Sequence, residues 1–266
     1  KKFEFINHDI RNFIKLDIEY IFNLACPASP PKYQKDPFLT LDTCYTGTKN
    51  ILELAKLKKA TVFHASTSEI YGDPKVNPQL EEYFGNTNCF GPRSCYDEGK
   101  RIAETLIFEF QKKYNLNVRI GRIFNTYGPL MDQNDGRVIS NFINQAINNN
   151  PITIYGDGKQ TRSFCYVDDL IKGIKLLCFS KNDINSPVNL GNNNETSISS
   201  IAKKIKKKAN SRSKIIFMNK PIDDPYVRRP DIKKAYKLIN WKPLIKLDQG
   251  LDKTLKYFRS INDLKV

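Results

Sequence analysis

Histidine and closely paired cysteine are scarce in this chain of 266 residues. It has two histidines, His8 and His64, and six cysteines, none of which form a C-x-x-C pair. Structural zinc sites take their ligands from closely spaced cysteines and histidines, so this composition argues against a metal site. Cysteines scattered along a chain of this length are typical of reduced thiols, and we expect a cytoplasmic location.

Long apolar runs are missing as well. No stretch of about 18 apolar residues occurs, so the sequence predicts no membrane-spanning helix. The start of the chain shows no signal-peptide pattern. The first residue is Lys1 rather than Met, and we expect that the chain is part of a longer protein.

The charge is strongly basic: 43 lysines and arginines face 28 aspartates and glutamates, a formal net charge of +15. This balance is typical of nucleic-acid binders, but lysine is abundant throughout this chain. The densest run, residues 203–208, lies on a predicted helix with Ile201 and Ile205 on its apolar side. We interpret the run as a solvated helix face and expect no nucleic-acid partner.

Strand-like and helix-like patterns alternate, which indicates an α/β protein with a parallel sheet. The first part of the chain predicts strands at 3–6, 20–25, 61–65 and 118–124, and helices at 40–58, 96–114 and 137–148. From Pro151 the elements become shorter, at 152–155, 168–179, 188–190, 198–209, 215–217 and 247–258. We therefore expect one domain over 1–150 and a smaller lobe over 151–266, with 188–191 possible as a return to the first domain.

A tyrosine and a lysine four residues apart share one helix face, where the ammonium lowers the pKa of the phenol. Lowering that pKa from about 10 to about 7 requires the phenolate to be stabilised over the phenol by roughly 4 kcal/mol. A second positive charge near the ring would add to the stabilisation by the lysine. The spacing occurs four times, beginning at Tyr45, Tyr71, Tyr96 and Tyr155. Turn sequences follow Tyr71 and Tyr155, and Gly47 interrupts the pattern after Tyr45. Tyr96 and Lys100 therefore form the candidate base, with an ordinary amphipathic helix as the alternative.

Small or polar residues follow three predicted strands, at 24–26, at 67–69 and at Asn125. In open parallel sheets, ligands bind beyond the carboxyl ends of strands, so these residues predict one shared crevice. The alternative for Thr67 and Ser68 is that they only cap the next segment. A loop rich in proline and asparagine, 72–94, precedes the helix of Tyr96, and its length indicates a functional segment.

Eight runs together resemble the UDP-glucuronic acid decarboxylase (UDP-xylose synthase) family, within the extended short-chain dehydrogenases. They are 25–31 (ACPASPP), 66–74 (STSEIYGDP), 91–101 (GPRSCYDEGKR), 122–129 (RIFNTYGP), 135–137 (DGR), 160–168 (QTRSFCYVD), 187–191 (PVNLG) and 228–231 (RRPD). Related nucleotide-sugar dehydratases carry Asp-Glu where this chain has Ser68 and Glu69, and 4-epimerases usually lack the glutamate. The resemblance therefore favours the decarboxylase.

The resemblance implies a Rossmann-like, doubly wound parallel sheet that binds NAD, with a smaller C-terminal lobe for the nucleotide sugar. It also implies three steps on one sugar: oxidation at C4, loss of the C6 carboxylate as carbon dioxide, and return of the hydride to C4. UDP-glucuronate would be the substrate and UDP-xylose the product. The family also suggests a homodimer packed through helices 40–58 and 96–114.

Five catalytic positions follow from the resemblance. Tyr96 would take the C4 hydroxyl proton, as general bases do when their pKa lies near the working pH. Lys100 would hold the nicotinamide ribose and tune Tyr96, and Thr67 would bond the hydroxyl near C4. Glu69 would position substrate or water. Arg228 would act near the carboxylate or as an acid, with ordinary anion binding as an equal alternative.

The resemblance also implies binding residues. Those expected at NAD, besides the catalytic pair, are Asp9 and Ile10 near the adenine, Leu24, Ala25, Cys26 and Thr43 beside the nicotinamide, and Arg137. Those expected at the substrate, besides Thr67, Glu69 and Arg228, are Pro27, Asn125, Arg137, Val138, Tyr155, Gln160 and Arg162. Arginine suits this task because its planar fork grips phosphate oxygens in pairs. For Arg162 the alternative is a surface salt bridge.

Three departures from the family pattern matter. Cys26 stands where the family usually has serine, and Leu130 stands where it has arginine. The family also begins with a strand, a glycine-rich loop, a helix and a second strand, and this N-terminal unit is absent from the sequence. Because that loop brings the pyrophosphate to a helix N-terminus, its absence removes the main NAD anchor from the given residues.

Two other classes stay open. One is a nucleotide-sugar 4,6-dehydratase or 4-epimerase of the same fold, which would turn over UDP- or TDP-glucose. The other is a non-catalytic, basic nucleic-acid binder, which would show salt-sensitive binding. The joint presence of Thr67, Glu69, Tyr96 and Lys100 argues against a protein that has lost its catalytic residues.

Overall fold

The computed structural model describes residues 3–263, with side chains through residue 262. A parallel four-stranded sheet forms its centre, and its strands are β1 (Tyr20–Asn23), β2 (Thr61–Thr67), β3 (Val118–Ile123) and β8 (Val188–Leu190). They lie in the order β1-β2-β3-β8, and every neighbouring pair is parallel. All carboxyl ends therefore meet at one edge of the sheet, which confirms the predicted α/β class.

Helices cover both faces of this sheet. Along the chain they are α1 (Pro30–Lys35), α2 (Pro37–Asp42), α3 (Thr48–Lys58), α4 (Ser94–Tyr114), α5 (Val138–Ile147), α6 (Val167–Cys178), α7 (Ile198–Ala209), α8 (Lys233–Ile239) and α9 (Leu247–Asp263). One core lies between the sheet and helices α3 and α4, and a second packs α6 and α8 on the other side. Burial of both apolar faces is what parallel sheets require.

The remaining strands are short and form three small sheets beside the main one. They are β4 (Thr126–Tyr127), β5 (Ile152–Tyr155), β6 (Thr161–Ser163), β7 (Cys165–Tyr166), β9 (Glu195–Ser197), β10 (Ile215–Met218) and β11 (Val227–Arg228). Their orders are β10-β5, β11-β6-β9 and β4-β7. A third core joins them to α5, α7 and α9. The proposed division at residue 150 stays a prediction, while β8 lies in the main sheet.

The predicted strand at Phe3–Ile6 is wrong. These residues have irregular backbone, and Phe3 and Phe5 are 80% and 76% exposed. A strand needs a neighbouring edge that accepts its backbone hydrogen bonds. Strand β1 is the nearest edge strand in sequence, yet within residues 3–263 it pairs with β2 alone.

The predicted helix 40–58 is present but is not regular. Helix α2 passes into a π-helical turn, Thr43–Gly47, which continues directly into α3. Gly47 does not break the helix. Glycine stands here because a Cβ would lie only 2.6 Å from Cδ1 of Ile10, which packs against this turn. π-helical turns recur at functional sites, and this one faces α4.

Helix α4 carries the candidate base. Ala103 and Ile107, four residues apart, are fully buried against the sheet. Arg93 precedes the first turn, and the helix ends where Asn115 takes a left-handed conformation with φ of 53°. Asparagine tolerates this conformation better than most residues, which explains the sharp end. The apolar stripe therefore fixes which face of α4 points at the strand ends.

The lysine run 203–208 lies on α7 as predicted. Ile201 and Ile205 are buried on the opposite side. Lys204 forms an ion pair with Asp248 on α9, at 2.7 Å. Lys203 and Lys207 are exposed, whereas Lys208 also pairs with α9 at Asp252, so the interpretation of a solvated helix face is confirmed only in part.

Candidate active site

Tyr96 and Lys100 lie one turn apart at the start of α4, and each is 5% exposed. The Lys100 ammonium lies 5.8 Å from the centre of the Tyr96 ring. It donates a hydrogen bond to the carbonyl oxygen of Ala65, at 2.9 Å. Because Ala65 belongs to β2, this bond fixes the lysine to the main sheet.

The end of β2 supplies the partner of the tyrosine. Thr67 is buried, and its hydroxyl accepts a hydrogen bond from the Glu69 amide, at 3.2 Å. The same side chain hydrogen-bonds Tyr96. Thr67 therefore caps the 3₁₀ turn Ser68–Tyr71, as its alternative predicted, while its role at the substrate stays a prediction.

Tyr33, on α1, stacks on the Tyr96 ring with centroids 4.9 Å apart and planes 7° apart. This packing buries Tyr96. Burial and the nearby Cys26 raise the pKa of Tyr96, although the bond to Thr67 opposes them. The prediction that Lys100 lowers the pKa of Tyr96 is therefore wrong for the protein's own groups. Desolvation of the phenolate raises this pKa by more than the neighbouring groups lower it.

Glu69 lies in the 3₁₀ turn after β2, between two arginines. Its carboxylate contacts the Arg93 guanidinium and lies 3.1 Å from Nη2 of Arg228. Arg228 is 1% exposed and also donates to the carbonyl oxygen of Ser68. A buried charge must be paired to be tolerated, and Glu69 pairs with both arginines of this cluster. Among the described residues, Nε of Arg93 and Nε of Arg228 have no hydrogen-bond partner.

The pKa values of two neighbouring carboxyl groups in this cluster, Glu69 and Asp97, shift in opposite directions. Burial raises the pKa of Glu69, but the charges of Arg228, Arg93 and Arg162 outweigh it and hold that pKa at about 2. Burial and the negative Glu69 raise the pKa of Asp97 to about 7, against the opposing Arg93. Near neutral pH, Glu69 is therefore ionised while Asp97 can exchange a proton.

Arg162 forms an ion pair with Asp224, at 2.9 Å, and donates to the carbonyl oxygen of Pro225, at 2.8 Å. Asp224 also lies 3.9 Å from Arg93. Arg162 therefore forms a salt bridge, as its alternative predicted, but its guanidinium is buried while Asp224 is a quarter exposed. It connects β6 with the Glu69 cluster.

Other predicted substrate residues lie in the second part of the chain. Arg137 precedes Val138, the first residue of α5, and forms an ion pair with Asp135. Gln160 is buried and donates to the carbonyl oxygen of Tyr155, at 2.5 Å, while the Tyr155 side chain is exposed. Each of these groups is held by local contacts.

The predicted cofactor residues follow β1 and line the π-helical turn. Leu24 and Ala25 are exposed beyond the end of β1, and Thr43 is buried in the turn. Cys26 lies between Pro27, whose carbonyl oxygen its thiol contacts at 3.4 Å, and Cys44. Asn125 follows β3 at the same edge of the sheet.

Asp9 and Ile10 lie in a short turn against α3. The Asp9 carboxylate forms an exposed ion pair with Arg11, at 2.7 Å. Asn50 donates to the carbonyl oxygens of Ile10 and Arg11, at 2.9 and 2.8 Å. The turn is therefore fixed to the helix beside the strand ends.

Three members of the site escaped prediction from the sequence: Tyr33, Arg93 and Asp97. Arg93 and Asp97 flank Tyr96 in the run GPRSCYDEGKR, so the signal was present. Their spacing of four residues at the start of a helix indicates an ion pair, and the charged atoms lie 3.8 Å apart. Tyr33 carries no such signal, because α1 is short and begins in a run of prolines.

A parallel sheet with a Tyr-x-x-x-Lys helix beside a Thr-x-Glu strand end defines an extended short-chain dehydrogenase/reductase fold. A family model described as GDP-mannose 4,6 dehydratase matches residues 1–254. UDP-glucuronic acid decarboxylase 1 of Xenopus tropicalis is 50% identical over 259 residues, which are 97% of this chain and 61% of that protein. UDP-glucuronic acid decarboxylase 5 of Arabidopsis thaliana is 45% identical over 258 residues, or 75% of its length. The chain belongs to the GDP-mannose 4,6 dehydratase family, and both of these relatives are named UDP-glucuronic acid decarboxylases.

Solved structures agree with the fold. A UDP-glucuronic acid 4-epimerase variant from Bacillus cereus, solved with UDP-4-deoxy-4-fluoro-glucuronic acid and NAD, superposes with a TM-score of 0.88. It is 28% identical, and the match covers 97% of this chain and 82% of the epimerase. A UDP-glucose 4-epimerase from Thermotoga maritima gives 0.85 at 25% identity, over 92% and 78% of the two chains.

Among residues 3–263, no helix is both long and apolar enough to span a bilayer.

Proposed function

We propose that the full-length protein decarboxylates UDP-glucuronate to UDP-xylose with bound NAD. The observation that carries this proposal is the placement of Thr67 and Glu69 at the end of β2, beside Tyr96 and Lys100 at the start of α4. Family membership supports it, since relatives about 50% identical are named UDP-glucuronic acid decarboxylases. The chain spans about three fifths of their length, so activity and substrate are inferred for the whole protein.

The strand-end residues fit a dinucleotide. Leu24 and Ala25 offer an exposed apolar edge on which a flat ring can lie, and the Lys100 ammonium lies close by, fixed to β2. The Asp9 carboxylate is exposed beside the start of α3, where it can accept hydrogen bonds from a ribose or a base. NAD bound there would supply the hydride acceptor for C4 and return the same hydride at the end.

Tyr96 takes the proton of the C4 hydroxyl, and Thr67 orients that hydroxyl. The protein's own groups raise the pKa of Tyr96, so the second positive charge expected from the sequence is needed to favour the phenolate. The C4 ketone then lies beta to the C6 carboxylate. When the C5–C6 bond breaks, its electron pair enters an enolate that is protonated at C5.

Glu69 acts as an ionised acceptor rather than as an acid, because its pKa of about 2 keeps it deprotonated. Arg228 positions Glu69: its two nitrogens bond that carboxylate and the Ser68 carbonyl. Of the roles considered for Arg228, anion binding is the one we propose, with Glu69 as the anion. The exposed Arg137 and Tyr155 are proposed to contact the uridine diphosphate.

The proposal is tested with purified full-length protein, NAD and UDP-glucuronate. We expect release of carbon dioxide and formation of UDP-xylose in equal amounts, with no net NADH, because the hydride returns to the product. UDP-glucose and TDP-glucose serve as matched controls and should stay unchanged. Turnover of either control without carbon dioxide would instead establish the dehydratase or epimerase alternative.

We also propose a homodimer packed through α2, the π-helical turn, α3 and α4. Phe38, Leu41 and Tyr45 are exposed on α2 and the π-helical turn, and Ile102 is exposed on the neighbouring flank of α4. A twofold interface uses the same patch on both subunits, and these neighbouring helices offer such an apolar patch. The six thiols, all free, support the expected cytoplasmic location, which cell fractionation against compartment markers tests.

The dimer predicts a change in mass with one substitution. Phe38→Glu places a charge in the patch, and we expect the sedimentation mass to fall from two chains to one. Phe84→Glu is the matched control, because Phe84 is exposed in the loop before α4. A monomeric parent protein, or a Phe38→Glu protein that stays dimeric, would contradict this interface.

A further inference from the structure

Two thiols lie in contact at the edge of the candidate site. Sγ of Cys26 and Sγ of Cys44 are 3.5 Å apart, although 18 residues separate them in sequence. Cys26 follows β1, and Cys44 lies in the π-helical turn. A disulfide has a sulfur–sulfur distance of about 2.05 Å, so the sulfurs need to approach by only roughly 1.5 Å.

The surroundings give the two thiols different roles. Cys26 is half-buried, so a small oxidant in solvent can reach it, whereas Cys44 is buried behind it. Cys44 packs against α4 at Gly99, where a Cβ would lie 3.1 Å from the sulfur. The helix therefore holds Cys44 in place as a resolving thiol for Cys26.

The charge distribution favours the same assignment. A hydrogen bond from Cys44 lowers the pKa of Cys26 against the effect of burial, and the Lys100 charge lowers it further. The same hydrogen bond and burial raise the pKa of Cys44. The thiolate is the reactive form of cysteine, so Cys26 is the nucleophile of the pair.

We propose that Cys26 and Cys44 are a modification site at which peroxide forms a reversible disulfide. The Cys26 thiolate attacks one peroxide oxygen, breaks the O–O bond and becomes a sulfenic acid, while the other oxygen leaves as water after taking a proton. Cys44 then attacks the Cys26 sulfur and displaces the sulfenic oxygen as a second water. Two thiols lose two electrons and two protons, and one peroxide gives two waters.

The bond would join the end of β1 to the π-helical turn. It would also remove the negative sulfur that helps to raise the pKa of Tyr96. Oxidation would thus alter the surroundings of the candidate base without touching Tyr96 itself. The chemistry of the pair does not depend on the proposed function, so the two can fail separately.

The test treats the reduced full-length protein with hydrogen peroxide and maps its peptides by mass spectrometry. We expect a linked peptide pair containing Cys26 and Cys44, a loss of two hydrogens per chain, and full reversal by dithiothreitol. Cys44→Ala should leave Cys26 as a sulfenic acid that dimedone traps. Cys89→Ser removes an exposed thiol outside the pair and should leave the linkage unchanged.

The wild-type peptide map decides the question even if a variant folds poorly. A linkage of Cys26 to Cys95 or Cys89 would overturn the proposal. So would a peroxide-treated wild-type protein in which both thiols stay free while other cysteines are oxidised.

Discussion

Tyr96→Phe is expected to lower the turnover of UDP-glucuronate by about a thousandfold, within the range usual for loss of a positioned general base. The substitution removes one hydroxyl and keeps the ring that stacks on Tyr33. The fold should therefore persist, with a loss of about 1 kcal/mol for the buried hydrogen bond to Thr67. Carbon dioxide release measures the turnover, and thermal unfolding measures the stability.

Tyr71→Phe is the matched control for this experiment. Tyr71 is equally buried and has the same spacing to a lysine, but its hydroxyl bonds Asn189 and Arg122. We expect a comparable loss of stability and activity within about twofold of the parent, since Tyr71 lies outside the proposed chemistry. A Tyr96→Phe protein that keeps more than a tenth of the parent activity would exclude Tyr96 as the base.

Glu69→Gln is expected to cost on the order of 3–5 kcal/mol in the free energy of unfolding, because it leaves buried arginine charges without their carboxylate. Arg228 and Arg93 both contact Glu69, and Arg162 lies close enough to lower its pKa. Urea denaturation measures the change. The double variant Glu69→Gln with Arg93→Gln should recover part of the loss, because it removes one of the two arginine charges that repel each other when Glu69 is neutral.

The loss should depend on pH in a definite direction. The pKa of Glu69 falls from about 4.5 in the unfolded chain to about 2 in the fold, so its contribution is complete above pH 4.5. The contribution declines as the pH falls toward 2, and the two proteins should therefore converge in acid. Glu98→Gln, which removes a half-exposed carboxylate paired with Arg101, should cost less than about 1 kcal/mol. Equal losses in the free energy of unfolding from the two substitutions would show that the buried cluster stabilises the fold no more than a surface ion pair does.

Local patterns predicted those elements whose reasons for forming are local. Helix α4 begins within two residues of the predicted start, because Ala103 and Ile107 recur at helical spacing. Strands β1, β2 and β3 likewise lie in short segments rich in apolar and β-branched residues. Phe3–Ile6 has an equally apolar run, yet it forms no strand, since pairing depends on a partner that a local pattern does not report.

The sequence identified Thr67, Glu69, Tyr96 and Lys100 as candidate residues, but it did not predict how the charges around them interact. Glu69 and Arg93 are 24 residues apart and Glu69 and Arg228 are 159 apart, so their contact follows only from the topology. The pKa of Tyr96 illustrates the same limit. The sequence shows the lysine one turn away, but the stacking of Tyr33 and the resulting desolvation appear only in the fold.

Arg228 has a mechanical consequence as well. It belongs to β11, which pairs with β6, while its guanidinium is anchored on the turn that follows β2 of the main sheet. Pulling these two parts of the molecule apart would leave the Arg228 guanidinium in a dry interior without the Glu69 carboxylate, while Glu69 would keep its contact with Arg93. The contacts of Arg228 thus couple the unfolding of the two parts. The main sheet and the β6–β11 region should therefore melt in one transition rather than two.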